Sequence, residues 1–117
     1  MFINLTNHPS SLWSEDQLAA AEHFGEVVDI PFPDISPEAD EEEINSMAED
    51  YVEKILSYGN DKDITVHVMG EMTFVYALVM RLKALGITCV ASTTERMVKE
   101  VDGKKISEFK FVQFREY

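Results

Sequence analysis

Residues 64–86 read ITVHVMGEMTFVYALVMRLKALG. Residues 64–69 are rich in β-branched side chains and stop at Gly70, which is typical of a buried central strand followed by a tight turn. Residues 74–85 are apolar on nearly every side, so they predict a helix packed between layers and ended by Gly86. A strand that passes through a short glycine turn into a buried helix is a building unit of α/β proteins.

The same alternation continues along the rest of the chain. Apolar positions from Ile44 to Leu56 recur at i, i+3, i+4 and i+7, which predicts an amphipathic helix. A capping box formed by Ser14 and Gln17 predicts the start of another helix, which ends near Gly25. Short β-rich runs predict further strands at residues 2–6, 27–30 and 87–91.

Four strands that alternate with three helices predict an α/β fold. We expect a Rossmann-like parallel sheet of about four strands, in the order 2-1-3-4, with helices on both faces. Beyond the fourth strand, residues 95–101 and 104–114 flank an Asp-Gly turn and predict a C-terminal β-hairpin. The 117 residues have the usual size of one domain, so residues 1–117 are expected to form a single domain.

Composition excludes several classes of protein. Hydrophobic residues make up 45%, but no run approaches the roughly 20 apolar residues of a membrane span. The single cysteine, Cys89, permits no internal disulfide and no cysteine zinc site, and it suits a reducing cytosol. The net charge of −12 opposes binding to duplex DNA. We therefore expect a cytoplasmic protein that binds neither membranes nor duplex DNA.

Three loops are the candidate positions of a ligand. In an open α/β sheet, ligands bind outside the carboxyl ends of the strands, where the strand order reverses. The loops that this rule selects are Asn7–Ser11, Gly70–Thr73 and Ser92–Arg96. The candidate ligand-binding residues are Asn7, Ser10, Ser11, Gly70, Glu71, Met72, Thr73, Ser92, Thr93 and Thr94, and the candidate catalytic residues are His8 and Arg96.

Each loop has a functional and a structural interpretation. The helix that follows Gly70 presents N–H groups suited to a phosphate, but the same residues also make an ordinary capped turn. Glu71 repels a phosphate when ionised, but it can hydrogen-bond a ribose or a base, or carry a proton if its pKa is raised. The hydroxyls of residues 92–94 and Arg96 form either a phosphodiester site or a surface turn with an ion pair. His8 either exchanges protons near neutral pH or is a hydrogen-bonded structural residue.

Metal and cofactor motifs are absent from the sequence. It contains no GxGxxG and no P-loop lysine, and His8, His23 and His67 lack the spacing of a metal site. We therefore expect neither a metal nor a cofactor. His23 and His67 are interpreted as structural residues.

Four short motifs together bracket nearly the whole chain. They are Asn7-His8 with Gln17, the Gly70–Thr73 turn, Ser92–Arg96, and the final FKFVQFREY at residues 109–117. In these motifs the chain resembles the small stand-alone ring nucleases of type III CRISPR systems, relatives of the CRISPR-associated Rossmann fold (CARF) domains.

The resemblance implies a fold, a reaction and a partner. It implies a homodimer that binds cyclic oligoadenylate, usually the tetra-adenylate, at its two-fold axis and linearises it, which would switch off antiviral signalling. A metal is not needed, because the ribose 2′-hydroxyl can attack the neighbouring phosphate once it is aligned. The pocket residues that the resemblance implies are Asn7, His8, Ser10, Ser11, Gly70, Glu71, Met72, Thr73, Thr93, Thr94 and Arg96.

Two other functions stay open at this point. The same pocket can sense a cyclic nucleotide without cleaving it and pass the signal to a partner. A flavodoxin-like domain for FMN or a sugar phosphate is a third interpretation, for which the sequence has no specific fingerprint. The charge of −12 departs from what a ligand with four phosphates favours, so basic groups near the C-terminus are expected to face the site or a partner subunit.

Overall fold

The structure is a computed structural model that describes residues 1–117, apart from the side chain of Asp61. Over this part of the chain, five strands form one sheet in the order β2-β1-β3-β4-β5. The strands are β1 (Phe2–Leu5), β2 (Val27–Asp29), β3 (Thr65–Val68), β4 (Thr88–Val101) and β5 (Lys104–Glu116). Strands β1 to β4 run parallel, and β5 is antiparallel to β4. The α/β class, the order 2-1-3-4 and the C-terminal hairpin are therefore confirmed.

Side-chain caps start the helices. The side chains of Ser14, Asp40 and Glu71 each accept hydrogen bonds from backbone N–H groups in the first turn of the helix that follows. The predicted helix start at Ser14 is confirmed. No helix in the described part of the chain is long and apolar enough to cross a membrane. The helices are α1 (Glu15–Glu22), α2 (Glu41–Leu56) and α3 (Met72–Ala84).

Alternate side chains of the central strands face opposite layers, as the period of a strand requires. Ile3 and Val66 belong to a core that includes buried residues of α2 and α3. Phe2 points to the other face, where it lies in a smaller cluster with Ala21 of α1 and stacks on His67 of β3. The helices therefore cover both faces of the sheet, and one histidine lies buried beneath α1.

The fourth strand is longer than predicted, and the loop expected at Ser92–Arg96 lies inside it. That prediction is wrong for two reasons. Neither glycine nor proline interrupts residues 87–101, and β5 pairs with β4 as far as Val101. A register shift between Thr93 and Thr94 marks the point where a loop was expected. The fourth strand and the first arm of the hairpin are consequently one element, which changes the strand count to five.

The outer part of the hairpin extends beyond the rest of the sheet. Strand β3 pairs with residues 88–90 of β4, whereas β5 accompanies β4 as far as the turn. At that turn Asp102 and Gly103 have φ values of 52° and 77°. Positive φ at both positions is what a two-residue type I′ turn requires, so the predicted Asp-Gly turn is confirmed.

Candidate functional site

A cavity of about 930 Å³ lies at the carboxyl ends of β1 and β3, where the strand order reverses. Its walls come from the segment after β1, the first turn of α1, the turn after β3 and the hairpin. The structure brings together predicted site residues from all three selected segments. Those that line the cavity are Asn7, His8, Gly70, Ser92 and Thr94.

The hairpin supplies a wall whose aromatic residues were not among the candidate site residues. Phe109 and Phe111 of β5 line the cavity together with Trp13, and aromatic rings are groups on which bases can stack. Lys110 adds a positive charge to the same wall, and Glu108 a negative one. The absence of glycine and proline from residues 87–101 was the available signal, because a continuous strand extends the sheet past the strand ends and encloses this space.

Arg96 lies next to the cavity but does not line it. Its guanidinium group donates hydrogen bonds to Ser107 Oγ, over 3.0 Å from Nη2 and 3.3 Å from Nε. Its cross-strand neighbour, Phe109, does line the cavity. Thr93 also lies outside the lining, and its hydroxyl donates to the carbonyl oxygen of Gln113 over 3.2 Å. A role for Arg96 in catalysis therefore requires its guanidinium to leave Ser107.

The turn after β3 is capped by its own acidic residue. The Glu71 carboxylate accepts hydrogen bonds from the backbone N–H groups of Thr73 and Phe74, at 3.0 and 2.9 Å, and from the Thr73 hydroxyl. The hydroxyl and these amides hold the pKa of Glu71 below its ordinary value, so Glu71 stays ionised at neutral pH. The amides expected to face a phosphate thus already face a carboxylate.

Close packing explains why glycine stands at position 70. A Cβ atom there would overlap the ring of Phe32. The next predicted residue, Met72, points away from the main cavity and is 82% exposed. It lines a separate groove of about 480 Å³ on α3, and Gly70 and Met69 line both spaces.

The loop after β1 is held by a carboxylate of β2. The backbone N–H of Ser10 donates to Asp29 Oδ1 over 3.1 Å, and the Ser10 hydroxyl donates to Oδ2 over 2.7 Å. Burial raises the pKa of Asp29, but hydrogen bonds from Ser10 and Asn4 outweigh this effect and leave the pKa below its ordinary value. Ser11 follows in an exposed 3-10 helix. Both serines lie outside the cavity lining and shape the loop that carries His8.

A chain of hydrogen bonds runs from this carboxylate to the cavity. The Nδ2 group of Asn4 donates to Asp29 Oδ1 over 2.8 Å and to the carbonyl oxygen of His8 over 2.9 Å. The Oδ1 atom of Asn4 lies 3.0 Å from Nδ1 of His67 and accepts from the Thr6 hydroxyl over 3.0 Å. Sequence reasoning missed this chain because its members come from three different strands and their loops.

Burial lowers the pKa of His67 to about 4, so the imidazole is neutral at physiological pH. Its ring lies among Phe2, Trp13 and Phe114, with ring centroids 5.1 to 5.9 Å away. His67 also lines the cavity. It is therefore part of the candidate site, in addition to the structural role expected from the sequence.

Other reactive groups are poorly placed for chemistry. Within the described residues, no group of three His, Cys, Asp or Glu side chains has the arrangement of a metal site. The thiol of Cys89 is buried, and burial raises its pKa to about 11, so it stays protonated and inert at neutral pH.

Comparison with known proteins identifies one family. The family model of the uncharacterized protein MJ1673 family matches residues 1–115. Neither a curated protein nor a solved structure matches the chain.

Proposed function

The chain belongs to the MJ1673 family, whose name states no activity, and we propose from its cavity that it is a ring nuclease. It would bind cyclic oligoadenylate, above all the tetra-adenylate, open the ring and so end type III CRISPR signalling. The observation that carries the proposal is the convergence of Asn7, His8, Ser92 and Thr94 on one cavity whose walls hold three aromatic rings. Hydroxyls and an imidazole suit a ribose phosphate, and the rings suit its bases.

The proposed reaction needs no group beyond the ligand and this chain. The ribose 2′-oxygen forms a bond to the adjacent phosphorus while the bond from phosphorus to the 5′-oxygen breaks. The 2′-hydroxyl proton is removed, and the departing 5′-oxygen takes up a proton. The product is a linear oligoadenylate that ends in a 2′,3′-cyclic phosphate and a 5′-hydroxyl.

The chain would contribute alignment, proton transfer and charge stabilisation. His8 would move a proton, because it lines the cavity and an imidazole can both accept and donate one. Arg96, once released from Ser107, would stabilise the developing charge on the phosphate, and Lys110 would do so from the hairpin wall. The hydroxyls of Ser92 and Thr94, which line the cavity, would hold the phosphate oxygens.

A second copy of the chain would complete the site. A cyclic tetranucleotide has rotational symmetry that matches a two-fold axis, and a chain of 117 residues encloses only part of it. An exposed apolar surface adjoins the cavity through Met69 and Gly70. It is formed by Met72, Tyr76 and Met80 on one face of α3, which are 82%, 68% and 54% exposed, and is called the α3 stripe below.

The decisive experiment is incubation of the purified protein with cyclic tetra-adenylate in EDTA, followed by chromatography and mass spectrometry. We expect linear products with a 2′,3′-cyclic phosphate. Tight binding without any product would refute the nuclease and support the alternative function, a sensor module that binds the cyclic nucleotide and signals to a partner. Absence of binding would refute both.

His8 is tested in the same assay. His8→Ala is expected to slow single-turnover cleavage by about 10²- to 10⁴-fold, as loss of a general acid or base does, with a much smaller change in affinity. His23→Ala is the matched control, because His23 is an exposed histidine that does not line the cavity. The pH–rate profile of the wild type should contain an ionisation that the variant lacks. An unchanged rate in His8→Ala would remove this residue from the mechanism.

A further inference from the structure

One buried atom of the candidate site lacks a partner. Among the described residues, one buried side-chain nitrogen or oxygen has no hydrogen-bond partner. It is Nε2 of His67, a residue that is only 2% exposed. Buried polar groups are nearly always paired, so an unpaired one in a ligand cavity calls for an explanation.

The hydrogen-bond chain determines which ring nitrogen of His67 carries the proton. Asp29 accepts from one hydrogen of the Asn4 amide group, and the carbonyl oxygen of His8 accepts from the other. The amide oxygen of Asn4 therefore faces His67, and Nδ1 of His67 must donate to it. Since the imidazole is neutral, Nε2 carries a lone pair and can act only as an acceptor.

Of the three rings that surround the imidazole, Trp13 is the one that also lines the cavity. Its indole meets the imidazole at 72°, with ring centroids 5.5 Å apart, and both residues line the cavity. Trp13 is half-buried and lies between the 3-10 helix (Ser10–Leu12) and α1. Since Nε2 is buried, a ligand group can reach it only if a neighbouring side chain such as Trp13 moves aside. The group that then meets Nε2 must be a hydrogen-bond donor, and a donor carried on a flat ring can pack beside the aromatic neighbours Phe2 and Phe114.

We propose that His67 accepts a hydrogen bond from the 6-amino group of a bound adenine and so favours that base over guanine and uracil. This inference rests on the proposed function, because it assigns a base-selecting residue to the same cavity. Adenine combines a flat face for Trp13 with an amino donor for Nε2. Uracil offers no amino group at all, and the 6-position of guanine presents an acceptor that would oppose the lone pair.

The test compares two ligands that differ in the amino group alone. Adenosine 5′-monophosphate and purine riboside 5′-monophosphate, which has hydrogen in place of the 6-amino group, are titrated by calorimetry. We expect the adenine ligand to bind about tenfold or more tightly, because its amino group pairs an acceptor that is otherwise left unsatisfied. Emission of Trp13, the single tryptophan, should change on titration. Equal affinities for the two ligands would overturn the inference, and so would failure to bind either of them.

Two variants separate the acceptor from the fold. His67→Gln can place an oxygen where Nε2 lies, so it should keep the preference for the amino ligand. His67→Asn can keep the hydrogen bond to Asn4 but reaches no further, so the preference should be lost. If both variants lost the preference equally, or both kept it, His67 would not be the selecting residue.

Nitrogen NMR tests the tautomer without any ligand. In the free protein the protonated nitrogen of His67 should be Nδ1, and the signal of Nε2 should shift when adenosine 5′-monophosphate is added. A proton on Nε2 in the free protein would overturn the inference. Cleavage of cyclic tetra-adenylate by a protein that ignores the amino group would leave the proposed function standing and refute this assignment alone.

Discussion

Protonation of His67 is expected to destabilise the folded protein as the pH falls. Burial lowers the pKa of His67 from 6.5 to about 4 in the folded chain, whereas the unfolded chain keeps the ordinary value. Between these two values the unfolded state binds a proton that the folded state rejects, so stability is lost as the pH falls from about 6.5 toward 4. Each pH unit in this window changes the free energy of unfolding by about 1.4 kcal/mol, which gives about 2 kcal/mol between pH 7 and pH 5.

The measurement is urea unfolding at pH 7 and pH 5, followed by the fluorescence of Trp13. The substitution His67→Phe keeps an aromatic ring among Phe2, Trp13 and Phe114 and removes the titrating group, and Asn4 keeps its hydrogen bond from Thr6. Between pH 7 and pH 5, the free energy of unfolding of the wild type should fall by about 2 kcal/mol more than that of this variant.

If the free energy of unfolding fell equally in the wild type and in His67→Phe, the reasoning would be refuted. His67→Gln provides the same comparison if the phenylalanine variant does not fold. Exposed histidines and carboxylates contribute to both proteins alike, so the difference between the two proteins isolates His67.

Three further predictions follow from the packing and the proposed site. Gly70→Ala should lower the free energy of unfolding by about 1 to 3 kcal/mol, because the new methyl group overlaps the ring of Phe32. Gly59→Ala is the control and should have little effect, because its Cβ meets nothing within 4 Å. Equal urea midpoints for the two variants would contradict this prediction. Arg96→Ala should weaken cyclic tetra-adenylate binding or slow its cleavage by about 10- to 100-fold, with little change in stability, and Lys110→Ala tests the second cation in the same assay. If Arg96→Ala binds and cleaves cyclic tetra-adenylate as the wild type does, the guanidinium has no role in the site. Light scattering at micromolar concentration should give the mass of a homodimer, and Tyr76→Glu in the α3 stripe should give the monomer mass; a wild-type monomer with and without ligand would contradict the assignment.

Much of the fold could be predicted because its signals are local. The cap at Ser14, the apolar period from Ile44 to Leu56 and the glycine turn after residue 69 each involve residues within a few positions of one another. The expected strand order 2-1-3-4 is one of the common orders for alternating strands and helices, and it is confirmed. The prediction of a loop at Ser92–Arg96 was wrong because these residues pair with β5. Hydroxyl-rich composition indicates a turn only where no second strand is available to pair with the segment.

The candidate site divides in the same way. Asn7, His8 and Gly70 could be placed at one cavity from the sequence, since the carboxyl ends of parallel strands meet at one edge of the sheet. Roles for His8, Arg96 and the hydroxyl-bearing residues stay predictions until the ligand is tested.

The sequence by itself determined most of the strands and helices and which strand ends lie together, because period, caps and turns act over short distances. The tertiary structure alone decided that the hairpin walls the cavity and that Asp29, Asn4 and His67 form one hydrogen-bonded chain. Asn4 and His67 are 63 residues apart, and their contact depends on the pairing of β1 with β3. The physical reason is that burial and hydrogen-bond partners are set by which elements pack together, and no local pattern carries that information.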